Sequence, residues 1–209
     1  MLRTTGRPAV KPPKRSYAGY PAAIRIGLDG IADGASLTLE RRTRGSWRRV
    51  GVASALQGAG EVIATLPRGR QRVRAVVRSG AETLTSPERV LKVRRARGWS
   101  TKRSDDGLYT ASFSLRMRVT GGGRTIRAFQ SDVAMLCPGV VAGQFTTQIG
   151  RSAIAKIRIA PDGTFIAAAT PAEDTATLVR GRVARGKVTG SAELSLGACS
   201  GVQRFTAKR

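Results

Sequence analysis

Residues 113–119 read Phe-Ser-Leu-Arg-Met-Arg-Val, and this stretch decides the fold most clearly. Its apolar side chains stand at every second position, with serine or arginine between them. Because successive side chains of a β-strand point to opposite faces, the pattern predicts a strand with one buried and one solvated face. Glycines 121–123 follow, and glycine accepts the positive φ angles of a tight turn. We therefore expect an antiparallel hairpin here.

The same alternation continues to the C-terminus. Further strands are predicted over residues 126–137, 178–183 and 188–196, and Ala128 with Phe129 indicates a bulge in the first of them. Residues 107–209 are therefore predicted to form an antiparallel β-domain, curled into a barrel or a sandwich.

Residues 181–188 come close to the pattern of a phosphate-binding loop. That motif requires Ser or Thr where this chain has Val188, and it requires a helix after the loop. Residues 188–196 alternate like a strand instead. A hairpin turn at Arg185-Gly186 is the preferred interpretation.

The N-terminal part divides at two changes of pattern. Residues 1–21 are basic, rich in proline and aperiodic, which predicts a flexible segment. Its Tyr17 and Tyr20 either dock on the first domain or are solvated, and the solvated alternative is preferred. Residues 22–95 contain six or seven short alternating strands separated by turn residues, as expected for a β-sandwich. Residues 96–106 break the alternation and are predicted to be a linker.

Residues 22–95 resemble a fibronectin type III or bacterial immunoglobulin-like module. The matching pieces are residues 37–41, Gly45-Ser46-Trp47, residues 66–69, and Ser86-Pro87 before residues 90–93. The resemblance implies an immunoglobulin-like sandwich. Such modules often have a corner tyrosine after the Leu-Pro-Gly turn, and no tyrosine follows that turn here. Trp47 is expected in the sandwich core, where a central-strand tryptophan commonly lies.

Residues 107–209 are similar to a small β-domain of uncharacterised secreted proteins of high-GC Gram-positive bacteria. The matching residues are Gly107-Leu108-Tyr109, Ile159 with residues 162–165, Gly181 with residues 186–191, and Cys199. The resemblance implies an exported protein, and it brings no reaction and no catalytic residues.

Cys137 and Cys199 are the two cysteines of the chain. A disulfide between them would close a loop of about 60 residues and stabilise the C-terminal domain by roughly 4 kcal/mol. Such a bond points to an extracellular or cell-envelope location, with an export signal expected upstream of Met1 because the first residues have no apolar core. The alternative is a cytoplasmic protein with two reduced, buried thiols. No run of 18 apolar residues exists, so no transmembrane helix is expected.

The chain is strongly basic, with 37 Lys and Arg against 13 Asp and Glu and a net charge of +24. Such a charge attracts polyanions over long range, although an arginine-rich solvated surface would have the same composition. The candidate anion-binding residues lie on one hairpin and on a later strand. They are Arg41, Arg42, Arg44, Arg48, Arg49, Arg72 and Arg74.

The sequence offers no candidate catalytic, cofactor-binding or metal-binding residues. It has no histidine, the commonest general base and metal ligand, and two cysteines are too few for a zinc site. We therefore expect a non-catalytic, exported binding or adhesion module at the bacterial cell envelope, contacting anionic polymers or a protein partner. The alternatives are a non-specific nucleic-acid or polyanion-binding protein, and accessory domains of an envelope enzyme.

Overall fold

A computed structural model describes residues 7–28, 35–56, 59–139, 143–172 and 175–209. The protein is all-β over these ranges, as predicted, and its one helical element is a 3₁₀ turn at Arg103–Asp105. The chain divides into two compact units, Met1–Arg95 and Ala96–Arg209. The strands of the first unit are β1 (Ala9–Lys11), β2 (Pro21–Gly27), β3 (Ser36–Thr43), β4 (Ser46–Leu56), β5 (Ala59–Thr65), β6 (Gly69–Ser79), β7 (Glu82–Thr85) and β8 (Arg89–Val93).

The strands of the second unit follow in sequence order. They are β9 (Gly107–Ala111), β10 (Leu115–Thr120), β11 (Thr125–Pro138), β12 (Phe145–Arg158), β13 (Thr164–Ala172), β14 (Thr175–Ala184), β15 (Lys187–Leu196) and β16 (Cys199–Lys208).

The first unit is built from antiparallel strands in the order β1-β2-β5-β4-β3-β6-β7, and β8 pairs with the free half of β6. Its core lies between the apolar faces of β2 and β5 on one side and of β3, β6 and β8 on the other. The largest of these side chains include Ile24, Ile26, Leu37, Leu39 and Leu91. Two sheet faces closing on one core are the arrangement expected for strands that alternate apolar and polar residues.

Residues 7–21 are more ordered than the sequence predicts. β1 pairs with β2, and Val10 is only 4% exposed within the core. Tyr20, expected in solvent, is 8% exposed. Backbone hydrogen bonds from Ala18 to Arg94 and from Arg94 to Ser16 attach the segment to the end of the unit. The local composition did not reveal this, because the pairing partners of the segment are distant in sequence.

The second unit is one curled antiparallel sheet in the order β12-β11-β10-β9-β16-β15-β14-β13. An additional pairing of β11 with β16 closes β9, β10, β11 and β16 into a small four-stranded barrel. The core of the second unit is dominated by buried aromatic and aliphatic side chains, among them Tyr109, Met117, Phe129, Ile157 and Phe205.

Two predicted turns are confirmed, and one strand start differs. Arg185-Gly186 joins β14 to β15 with both residues at positive φ, so the phosphate-loop alternative is wrong. Glycines 121–123 join β10 to β11, also at positive φ. Phe113, however, lies in the preceding turn at φ 59° and is 53% exposed, so the strand begins at Leu115. The predicted bulge at Ala128 is confirmed by a register shift between β10 and β11.

The segment 96–106 belongs to the second unit. Ser100 donates a backbone hydrogen bond to Pro161, and Thr101 and Asp105 are buried. The segment lacks the alternation of a strand, but it is packed against the domain that follows it.

Candidate anion-binding surfaces

The hairpin of β3 and β4 presents its predicted arginines on two different faces. Arg42 lies opposite Trp47, and Glu40 lies opposite Arg49, which places all four on one face. Glu40 is also opposite Arg74 in the neighbouring strand β6. Arg72 lies two residues before Arg74 and therefore on the same face. The structure therefore brings together four of the seven predicted residues, namely Arg42, Arg49, Arg72 and Arg74.

The other three predicted arginines lie elsewhere. Arg41 and Arg48 oppose each other on the face that carries Leu39, and Arg41 donates to the amide oxygen of Gln71 at 3.4 Å. Arg44 occupies the hairpin turn at φ 48°. The alternation of β3 separates Arg41 from Arg42, so consecutive cations in the sequence do not form one surface.

Most of the clustered arginines already have acidic partners. Arg74 donates from Nε to Glu40 at 2.8 Å, while Glu88 lies 3.3 Å from Arg72 and 3.7 Å from Arg42. The Arg74 guanidinium also stacks on the Trp47 ring, 4.3 Å from its centroid. Trp47 is therefore half-buried on the outer face. The prediction that it lies in the core is wrong. Two glutamates reduce the net positive charge that this face offers to a ligand.

A second group of cations, which the sequence analysis missed, lies on the outer face of the second unit. Arg118 of β10 is directly opposite Arg127 of β11, and Arg127 is directly opposite Lys156 of β12. All three side chains are exposed. Among the described residues none of the three has a carboxylate within ion-pair distance. We call Arg118, Arg127 and Lys156 the cationic row.

More basic residues lie beside the cationic row on the same outer face. Arg116 lies two residues from Arg118 on β10 and opposite Thr110 of β9. Thr110 is opposite Lys208, and Lys208 is opposite Lys187. Adjacent strands are about 4.8 Å apart, so the two lines of cations cross several strands at the spacing of the sheet.

The sequence contained one signal for the cationic row. Polar positions of the strands at 115–120 and 145–158 are repeatedly occupied by Arg or Lys, and the strand at 125–138 between them carries Arg127. Their alignment across the sheet could not be predicted, because the bulge at Ala128 shifts the register between Arg116 and Arg118. A shift of one residue would move each side chain to the opposite face.

The glycine turn 121–123, considered above as a hairpin tip, also has the backbone donors of an anion site. An internal carboxylate occupies them: Gly122 and Gly123 donate to the two oxygens of Asp106 at 3.0 and 2.7 Å. In the same way the Asp105 carboxylate accepts a hydrogen bond from the backbone N–H of Gly186, at 2.8 Å. These donors hold the chain before β9 against two hairpin turns, and they are not open to a ligand.

Two ionisable groups in this unit have shifted acidities. Burial is the main reason that the pKa of the Tyr109 hydroxyl is raised, and the Asp105 carboxylate adds to the effect. Tyr109 donates to the backbone oxygen of Asp105 at 2.8 Å. A hydrogen bond with Ser114 is the main reason that the pKa of the Asp132 carboxyl is lowered, and Arg151 adds a second hydrogen bond. Both groups have structural partners within the fold.

Cys137 and Cys199 form the predicted disulfide, which joins the end of β11 to the start of β16. Within the described ranges, Asp, Glu and Cys side chains form no group of three that could hold a metal ion. The described residues also include no helix of the length and apolarity needed to cross a membrane.

No protein-family model matches the chain, and no curated protein or solved structure matches it either. The resemblance to fibronectin type III and immunoglobulin-like modules therefore stays a prediction.

Proposed function

We propose that the protein is a non-catalytic binding module for anionic polymers, exported to the bacterial cell envelope, and that the cationic row is its principal contact. The observation that carries this proposal is the direct opposition of Arg118, Arg127 and Lys156 across three neighbouring strands. Like charges directly opposite each other destabilise a sheet, and no carboxylate among the described residues offsets them. A polymer that carries regularly spaced negative groups would remove this repulsion.

The contrast with other basic side chains supports this assignment. Arg25, Arg72, Arg74 and Arg151 all have acidic partners, at distances between 2.8 and 3.9 Å. Four of the 13 carboxylates of the chain, those of Glu40, Glu61, Glu88 and Asp132, are used on these arginines. The cationic row therefore keeps its full charge for a ligand, while the predicted cluster around Trp47 keeps part of its charge.

The chemistry of the cationic row favours the binding of phosphate or carboxylate polymers. This binding does not depend on the order of bases in a nucleic acid. Guanidinium and ammonium groups bind such anions through charge-assisted hydrogen bonds. Base recognition commonly uses a helix in a groove or aromatic platforms for stacking. The described chain has only a three-residue helical turn, Phe129 of β11 is fully buried, and the exposed Phe145 lies at the opposite end of β12 from Lys156. The disulfide supports an oxidising, extracytoplasmic setting.

Polymer binding is tested by titrating the protein with a polyglycerol phosphate chain and, separately, with double-stranded DNA at several salt concentrations. Binding by counterion release predicts that the logarithm of the affinity falls linearly with the logarithm of the salt concentration. The double variant Arg118→Gln, Arg127→Gln should bind at least tenfold more weakly at low salt. Its salt slope should be smaller by about 1 to 2, since each lost phosphate contact removes about 0.7 to 0.9.

A matched control removes the same charge from paired positions. Arg25→Gln with Arg151→Gln also lowers the net charge by two, but both side chains have acidic partners in the native protein. The control should keep nearly the wild-type affinity and salt slope. An equal loss of affinity in the two double variants would show that net charge alone drives binding, which would contradict the assignment to the row. A preference of 100-fold or more for one DNA sequence would contradict binding without sequence readout.

A further inference from the structure

The end of the second unit that carries the disulfide differs in chemistry from the rest of this basic protein. Residues 133–150 contain no charged side chain, and neither do residues 194–203. The disulfide and the pairing of Leu136 with Ser200 bring the two stretches together. A sizeable surface of the chain is therefore free of lysine and arginine, although the net charge is +24.

Large apolar side chains are exposed on this surface. Leu136 is 60% exposed, Phe145 68%, Ile149 76% and Val202 60%. The strand register places Phe145 opposite Pro138 and Ile149 opposite Ala134, so they share the outer face with Leu136. We call Leu136, Phe145, Ile149 and Val202 the apolar tip. Contiguous exposed apolar residues of this size commonly mark an interaction site.

The strand that carries half of the apolar tip is an edge strand. Within the described part of the chain, β12 pairs with β11 alone. Residues 145–149 are exposed along their whole length, on both faces of the strand. The outer edge of β12 therefore offers unpaired backbone donors and acceptors, which form a template for another strand.

We propose that two copies of this chain associate through β12, whose segment 145–149 pairs antiparallel with the same segment of a second copy about a twofold axis at Thr147. In this register Phe145 of one copy lies opposite Ile149 of the other, and the two Thr147 side chains lie opposite each other. Aromatic with β-branched pairs and threonine pairs are favourable across antiparallel strands. The interface is isologous, so it closes at a dimer.

The self-complementary order of residues 145–149 is the reason that the occupant is a second copy, and the distribution of charge permits its approach. Two molecules of net charge +24 repel each other, and most faces would bring cations into contact. The apolar tip lets two copies approach without opposing any charged side chains. The first cation along β12 is Arg151, which already has Asp132 as a partner at 3.0 Å. In the proposed register Arg151 lies opposite Gly143 of the second copy, so no like charges meet.

The dimer is tested by sedimentation velocity of the full chain over a range of protein concentrations. Wild-type protein should shift from monomer to dimer, and added salt should strengthen the association because it screens the repulsion. Ile149→Lys should weaken the dimer at least tenfold, since it places a charge against Phe145 of the second copy. Ala155→Lys is the matched control: it adds the same charge at an exposed position of β12 outside the paired segment, and should leave the dimer unchanged.

The register is tested by cross-linking. Both native cysteines are in a disulfide, so Thr147→Cys introduces a single free thiol at the proposed axis. Mild oxidation should convert this variant to a covalent dimer, whereas Ala155→Cys should stay monomeric under denaturing, non-reducing conditions. A wild-type protein that stays monomeric into the submillimolar range would overturn the proposal. So would equal dimerisation of wild type and Ile149→Lys, or equal cross-linking at positions 147 and 155.

The dimer and the polymer-binding function can fail independently. Salt should strengthen the association of two copies and weaken the binding of a polyanion. Ile149→Lys changes the apolar tip and leaves the cationic row intact, so polymer binding at concentrations where the protein is monomeric should persist in this variant.

Discussion

Asp106 shows how a single side chain connects sequence, turn geometry and domain boundary. The sequence predicts that Asp106 lies outside the strands, in the segment 96–106 that breaks the alternation, and that glycines 121–123 form a hairpin tip. Both predictions hold. What the sequence could not indicate is that the carboxylate accepts hydrogen bonds from Gly122 and Gly123. The contact spans 16 and 17 positions of the chain, and it depends on the path of the intervening strands.

This contact predicts the effect of removing the carboxylate. Asp106→Ala would leave the Gly122 and Gly123 amides without their acceptor in a partly buried turn. Leaving such groups unsatisfied costs about 1–3 kcal/mol. Urea unfolding followed by circular dichroism should therefore show a lower free energy of unfolding for the variant, with an unchanged denaturant slope.

Asp162→Ala is the matched control for this variant. Asp162 also accepts a backbone hydrogen bond, from Thr164 at 3.2 Å, but at an exposed position where water can replace it. The control should lose less stability than Asp106→Ala. Equal losses would mean that the Asp106 contact contributes no more than an ordinary surface turn.

The strands were the most predictable elements, because alternation of apolar and polar residues reports directly on a half-buried sheet. Residues 115–120 and 187–196 follow this pattern and form β10 and β15. β1 was missed because its three residues are too few for a period to show. Trp47 was misplaced because a tryptophan in a strand fits either a core or an outer face, and here Arg74 covers it.

The alignment of the cationic row could not be predicted from the individual strands, because it depends on their register. Each strand displays its cations in the sequence, but the row exists only when β10, β11 and β12 are in register. Register depends on the bulge at Ala128 and on turn lengths, which a single sequence determines weakly. The predicted hairpin cluster, in contrast, mixed side chains from both faces of β3.

The disulfide makes a prediction for β11 and β16. Replacing both cysteines, Cys137→Ala with Cys199→Ala, should lower the stability of the second unit by about 2–5 kcal/mol. The cysteines lie at the ends of strands whose ladder pairing is a single residue pair, Leu136 with Ser200. Calorimetry of the full chain should show a lower transition temperature for the second unit.

The unit Met1–Arg95 is the internal reference for this measurement, because it contains no cysteine. Its transition should stay at the wild-type temperature. A double variant in which neither transition moves would show that the strand pairing alone holds β11 to β16.

At the scale of the whole molecule, the charge is spread along the sequence but sorted by the fold. In the first unit Glu40 and Glu88 offset part of the arginine surface. In the second unit the cationic row is without acidic partners among the described residues, while the disulfide end is uncharged. The composition predicted an attraction to polyanions, and the fold indicates where that attraction would be strongest.

The most direct test of polymer binding by the cationic row is nuclear magnetic resonance of labelled wild-type protein during titration with polyglycerol phosphate. We predict that the largest shifts occur at the Arg118 and Arg127 side-chain Nε–H groups and at the Lys156 Nζ group. Smaller shifts are expected at Arg72 and Arg74, which keep their glutamate partners. Shifts centred on Arg72 and Arg74, or spread evenly over all arginines, would contradict the account.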